Sequence, residues 1–212
     1  MRKCLVFCLL ISNCCFAQKE NFFCLKVSPL SFITPYTGPS LRIGTEFKLK
    51  NTYSFCAEFG TFVLGSKGYL FKPELRYYLP SETKLSGEYF GVELFFKNQS
   101  YVADYTQYDG DTVNHPGVKQ NGIFNVQKNV ECFTLKYGEQ TITKFGLLID
   151  MYCGLGIRLQ QNRNSLTASA NNALVSSSDY GPNLMTDKAG NRVYPNLVAG
   201  IRIGFAFNRW KE

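Results

Sequence analysis

Residues 198–210 read VAGIRIGFAFNRW. Taken at every second residue, one register holds Ala199, Ile201, Ile203, Phe205 and Phe207, and the other holds Val198, Gly200, Arg202, Gly204, Ala206 and Asn208. Strict alternation of this kind marks a β-strand with two unlike faces. Which face is interior decides between a β protein that lives in water and one that lives in lipid.

The same question can be put to every strand-like stretch. Alternation bounded by Gly, Pro, Asn and Ser clusters predicts eight strands, at about 22–33, 39–50, 53–64, 69–79, 88–98, 123–137, 144–160 and 194–209. In 41–49, Leu41, Ile43, Thr45, Phe47 and Leu49 oppose Arg42, Gly44, Glu46 and Lys48. In 69–79, Tyr69, Phe71, Pro73, Leu75, Tyr77 and Leu79 oppose Lys72, Glu74 and Arg76. In 90–97, Phe90, Val92, Leu94 and Phe96 oppose Gly91, Glu93 and Lys97. In 145–159, Phe145, Leu147, Ile149, Met151, Cys153, Leu155, Ile157 and Leu159 oppose Gly146, Asp150, Gly154, Gly156 and Arg158. None of the apolar registers carries a charge.

Glycine separates the two readings. Gly44, Gly60, Gly91, Gly146, Gly154, Gly156, Gly200 and Gly204 share the charged register. A strand face open to water gains nothing from glycine, which weakens a strand. The interior of an eight-stranded barrel is only just wide enough for side chains, so long ionic groups there need small residues opposite them. The charged face is therefore expected inside, as a polar network of Arg42, Glu46, Glu58, Lys72, Glu74, Arg76, Glu93, Asp150, Arg158 and Arg202. The oily face is expected against acyl chains, with Tyr69, Tyr77, Tyr194 and Trp210 as interfacial aromatics. Pro29 and Pro73 each call for a bulge or a strand end, because a closed barrel has no edge to excuse a missing N–H.

The connections follow a parity. Asn51–Thr52, PSETKLSG and GEQTIT are short even-numbered connections, whereas the fifth (about 99–122) and seventh (about 161–193) are long. In an up-and-down meander both long ones fall at one end, the pattern of short periplasmic turns and long external loops.

The first 17 residues read as a secretory leader. Arg2 and Lys3 precede an apolar run from Cys4 to Phe16, and Ala17 stands at a cleavage position. The run is too short for a membrane helix, and no later stretch supplies one. Cys14 and Cys15 near its end leave a lipid anchor open as an alternative, but Asn13 and Cys14 stand immediately before them where a lipid-anchor motif wants Gly, Ala or Ser. The full chain of 212 residues has 23 basic and 16 acidic residues; without the leader 21 basic residues remain. The charges are scattered along strands rather than clustered, which argues against nucleic acid as a partner. Cys24, Cys56, Cys132 and Cys153 lie far apart with no CxxC pair, so no zinc site is expected, and they read as small apolar fillers.

With FAQ at 16–18, KPELRYYL at 72–79 and the terminal GIRIGFAFNRW, the chain resembles the small eight-stranded outer-membrane barrels of the OmpA-transmembrane and OmpX type, in the form common in Bacteroidota. The resemblance covers nearly the whole chain after the leader and is one of pattern. It implies an all-β, eight-stranded antiparallel up-and-down transmembrane barrel in the outer membrane, with lipid and the barrel-assembly machinery as partners and no cofactor. One departure stands out: such chains often end on an aromatic residue, whereas Lys211 and Glu212 follow Trp210 here.

Catalysis is not expected. The one histidine, His115, sits in DGDTVNHPG without a His-x-Ser neighbour or an orienting third group. Asp104, Asp109 and Asp111 lack the Gly and distal Glu of a calcium loop and read as solvated acids. Eight strands leave no continuous aqueous channel once side chains fill the shaft. The expected role is structural or surface-interacting, with the long loops carrying any binding. A lipid-modifying outer-membrane enzyme and a soluble periplasmic lipocalin-like carrier are the alternatives.

Overall fold

A computed structural model describes residues 22–29, 39–49, 52–63, 65–79, 85–109, 118–166 and 187–208. The leader, His115, Asp111 and Trp210 lie outside them. Eight strands follow one another: β1 (Phe22–Val27), β2 (Ser40–Lys48), β3 (Tyr53–Phe62), β4 (Ser66–Tyr78), β5 (Gly87–Asp109), β6 (Val118–Ile142), β7 (Leu147–Asn164) and β8 (Gly190–Asn208). Each pairs antiparallel with the next, and β1 pairs with β8, so the sheet closes into an up-and-down barrel.

The stagger can be followed residue by residue. From Ala206 the register passes through Cys24, Glu46, Cys56, Glu74, Glu93, Thr134 and Gly156 to Asn196, ten residues from its start on β8. Ten residues of stagger over eight strands corresponds to a strand tilt of about 40°. The connections 49–52, 79–86 and 143–146 lie at one end, called here the turn end; the opposite is the loop end.

Arg202 is 1 % exposed, whereas Phe205 and Phe207 are 45 % and 49 % exposed. Outward positions form an apolar ring on all eight strands. On β5, Phe90, Val92, Leu94 and Phe96 run between Glu88 and Asn98; on β6, Phe133, Leu135 and Tyr137 run between Glu131 and Glu139. Tilted strands of that length give a band about 20–25 Å tall.

The interior is layered along the barrel axis. Inward positions of β5 read, from turn end to loop end, Tyr89, Gly91, Glu93, Phe95, Lys97 and Gln99. Tyr89 belongs to an apolar stopper with Cys24, Tyr78, Leu85, Leu148 and Ala206. Leu85 holds a left-handed backbone (φ 54°) there, with its side chain buried and its carbonyl accepting from Gln140 Nε2 at 2.8 Å. Strain of that kind persists where the surroundings hold it in place. Glu93 marks an ionic layer, and Phe95 a second apolar cluster with Phe62, Leu70, Val130 and Cys132. Lys97 lies beyond it.

Several expectations need correction. The fifth connection is not a loop from 99 to 122: β5 and β6 stay paired up to Asp109 and Val118, and β7 and β8 reach Asn164 and Gly190. Beyond Tyr101, on β5, and Val126, on β6, no third strand pairs with the hairpin among the described residues, while its own backbone pairing continues to Asp109 and Val118. Phe145 and Gly146 are turn residues rather than strand residues. Gly146 has φ 86°, and Phe145 is 89 % exposed at the tip. Pro29 follows the end of β1. Pro73 needs no bulge: Phe71 pairs with Phe96 and Glu74 with Glu93 in one unbroken register, so the proline only interrupts the ladder locally.

Candidate functional site

The ten polar residues expected inside are all buried, each no more than 9 % exposed. Their strands bring them to the interior because each shares the parity of the inward register. Five carboxylates (Glu46, Glu58, Glu74, Glu93, Asp150) and six cations (Lys26, Arg42, Lys72, Arg76, Lys136, Arg202) form one connected set of ion pairs.

Arg202 is its hub. Its Nε lies 3.0 Å from Glu58, its Nη1 lies 3.2 Å from Glu74 and 3.4 Å from Asp150, and its Nη2 lies 3.5 Å from Glu93. Arg76 Nε donates to Glu74 at 2.7 Å and its Nη2 to Asp150 at 2.9 Å. Lys136 bridges Glu74 and Glu93. Lys26 Nζ reaches Glu46 at 2.5 Å and Asp150 at 3.1 Å. Hydroxyls complete the acceptors: Tyr89 donates to Asp150 at 2.7 Å and Tyr78 to Glu46 at 2.8 Å. The rings also cover cations, with Arg76 4.2 Å from the Tyr89 centroid and Arg202 4.4 Å from that of Tyr152. Buried charges are tolerated when paired and hydrogen-bonded in this way.

Lys26, Lys136, Gln140, Tyr78, Tyr89 and Tyr152 are network members that the sequence reading missed. The parity rule, carried one step further, finds them: Lys26 lies between outward Leu25 and Val27, and Lys136 between outward Leu135 and Tyr137. The buried apolar residues Phe62, Leu70 and Phe95 follow the same parity but carry no charge to announce it. Arg158 is buried but stands apart from the network, beyond the second apolar cluster.

Two glycines show what the small inward residues do. A Cβ on Gly138 would meet the Tyr89 ring at 2.6 Å, and one on Gly200 would meet the Tyr152 hydroxyl at 2.5 Å. The glycines make room for aromatic rings that in turn cover arginines. Gly138→Ala is expected to displace Tyr89 from Asp150 and Arg76 and to destabilise the barrel by about 1–3 kcal/mol, measured by urea unfolding in detergent. An unchanged midpoint would show that the ring has room to move.

Of the four expected interfacial aromatics, Tyr69 and Tyr77 point outward, at 54 % and 37 % exposure. Tyr194 does not: it shares the inward register of β8 with Asn196 and Arg202 and pairs across the ladder with Arg158. Placing it at the end of a strand overlooked its parity. At the loop end, Asp187 lies 3.5 Å from Lys128 and accepts from the Tyr101 hydroxyl. Burial, then this hydrogen bond and the Asp187 charge, push the Tyr101 phenol up. Burial also lowers the Lys128 ammonium, against the pull of Asp187.

Among the described residues no three His, Cys, Asp or Glu side chains are grouped to hold a metal ion. Asp104 and Asp109 fall on β5. Cys24, Cys56 and Cys132 are buried free thiols and Cys153 is an exposed one. Within the ionic layer every carboxylate faces at least one cation, and Glu58 Oε1, 3.9 Å from Arg42 and 3.8 Å from Lys72, is the one side-chain atom of that layer left without a hydrogen bond among the described residues. Compared with known protein families, curated proteins and solved structures, the chain matches none.

Proposed function

We propose that this chain is an outer-membrane β-barrel, exported by its leader, that spans the bilayer and serves a structural or surface-interaction role without catalysis. The observation that carries the reading is the inverted polarity: eleven ionised groups are sealed inside while an apolar ring on all eight strands faces outward. Patches of that extent are not left bare on a water-soluble monomer. The band height matches the roughly 25 Å apolar belt of membrane barrels, and Tyr69 and Tyr77 lie toward its two rims. No helix among the described residues is long and apolar enough to cross a membrane, which says nothing about crossing with strands. The turn end then faces the periplasm and the long β5–β6 hairpin faces outside, where it and the seventh connection carry any binding. A lipid carrier needs an apolar cavity at the place where the ionic plug sits, so the carrier reading is the weaker one.

Cys153 provides the test. It points outward near the middle of the band and is the exposed thiol among the described residues. A nitroxide attached there in the mature protein, reconstituted in lipid, is expected to collide readily with oxygen and poorly with a water-soluble nickel chelate. The reverse accessibility would place water on the apolar ring and overturn the reading.

A further inference from the structure

Beyond Phe95 and Cys132, the inward positions of four consecutive strands turn basic. β5 contributes Lys97, β6 Lys128, β7 Arg158 and β8 Arg192. The ladder places them close together: Lys97 pairs with Val130, Val130 with Gln160 and Gln160 with Arg192, while Arg158 pairs with Cys132 one step below. Lys97, Lys128 and Arg158 are 4 %, 7 % and 7 % exposed. The carboxylates of the ionic layer lie on the other side of the apolar cluster. Among the described residues the acid at this level is Asp187, already engaged by Lys128 and Tyr101.

Arg158 is the decisive group. More than nine-tenths buried, its Nε has no hydrogen-bond partner among the described residues. Two positions along the same face, Gln160 Oε1 is also unpartnered while its Nε2 donates to Asn162 at 3.0 Å. A guanidinium withdrawn from water with an unmet donor is costly, and like charges around it raise the cost. An anion relieves both. The apolar cluster of Phe62, Leu70, Phe95, Val130 and Cys132 lies between this group and the carboxylates of the ionic layer.

We propose that this basic vestibule binds a phosphate-type oxyanion, with Arg158 as its main ligand and Lys128 and Lys97 balancing its charge. The planar guanidinium fork matches the oxygens of phosphate. Hydrogenphosphate also keeps a proton to donate to Gln160 Oε1, which sulfate at neutral pH does not. The proposal needs only the barrel and its inward register, so it stands or falls separately from the membrane reading.

The test is calorimetric titration of inorganic phosphate into the mature barrel in phosphate-free dodecyl maltoside at low ionic strength. Saturable one-to-one binding is expected, weakened about tenfold or more by Arg158→Gln and partly restored by Arg158→Lys. Lys67→Gln, an exposed outward lysine near the same end, is expected to bind like the parent. Sulfate is expected to bind more weakly. Phosphatidic acid in mixed micelles identifies the source: displacement of phosphate means a lipid headgroup reaches Arg158, and no displacement means a soluble phosphate does. A heat-dependent gel shift verifies that each variant is folded. Absence of saturation, equal loss in Arg158→Gln and Lys67→Gln, or sulfate binding as tightly as phosphate would each overturn the assignment.

Discussion

Arg202→Met is expected to cost about 3–5 kcal/mol of stability, because the substitution keeps most of the volume but strips four buried carboxylates of their shared cation. Glu58, Glu74, Asp150 and Glu93 all lie within 3.5 Å of the guanidinium. The carboxylates left behind sit in a shaft sealed on one side by the apolar stopper and on the other by the Phe62–Phe95 cluster, so water cannot readily replace the arginine. Denaturant unfolding in detergent, followed by the fraction of the compact species on unboiled gels, measures the loss. Pairing the substitution with Glu93→Gln removes a carboxylate left with Lys136 as its one remaining cation and is expected to recover part of the loss, since groups in one network do not act additively. A loss below about 1 kcal/mol would mean that the neighbouring cations rearrange to cover the gap.

Val92→Arg tests the other face. Val92 is 42 % exposed between Phe90 and Leu94, near the middle of the band. In lipid an arginine there is expected to cost about 2–4 kcal/mol, whereas at an outward site facing water it costs next to nothing. Val102→Arg provides that comparison, on the hairpin beyond the belt, where Val102 is 60 % exposed. Folding into vesicles, followed by gel shift against denaturant, is expected to separate the two variants by that margin. Equal midpoints would remove lipid from the apolar ring.

The ionic hub was legible in the chain because charge and parity are both local. Arg42, Glu46, Glu74 and Arg76 alternate with apolar neighbours, and a residue cannot change face without breaking its strand. Tyr194 was misplaced for the opposite reason: its chemistry suggested an interface and its parity was ignored. The β5–β6 hairpin beyond Tyr101 was illegible because polar residues such as Asp104, Thr106, Gln107 and Asp109 break the apolar alternation there, and periodicity does not report backbone hydrogen bonding.

By itself the sequence determined the strand count, the two registers and therefore which side chains share a face, since period-two geometry follows from the backbone alone. Which charges meet was decided only in three dimensions. Arg202 lies far along the chain from Glu58 and Glu93, and it reaches them because closure with a ten-residue stagger sets the heights at which the strands face one another. The same stagger puts Phe95 and Cys132 between the ionic layer and Arg158, separating an ion-paired plug from a basic vestibule. Stagger is a property of the closed sheet, summed over eight pairings, and no single strand records it.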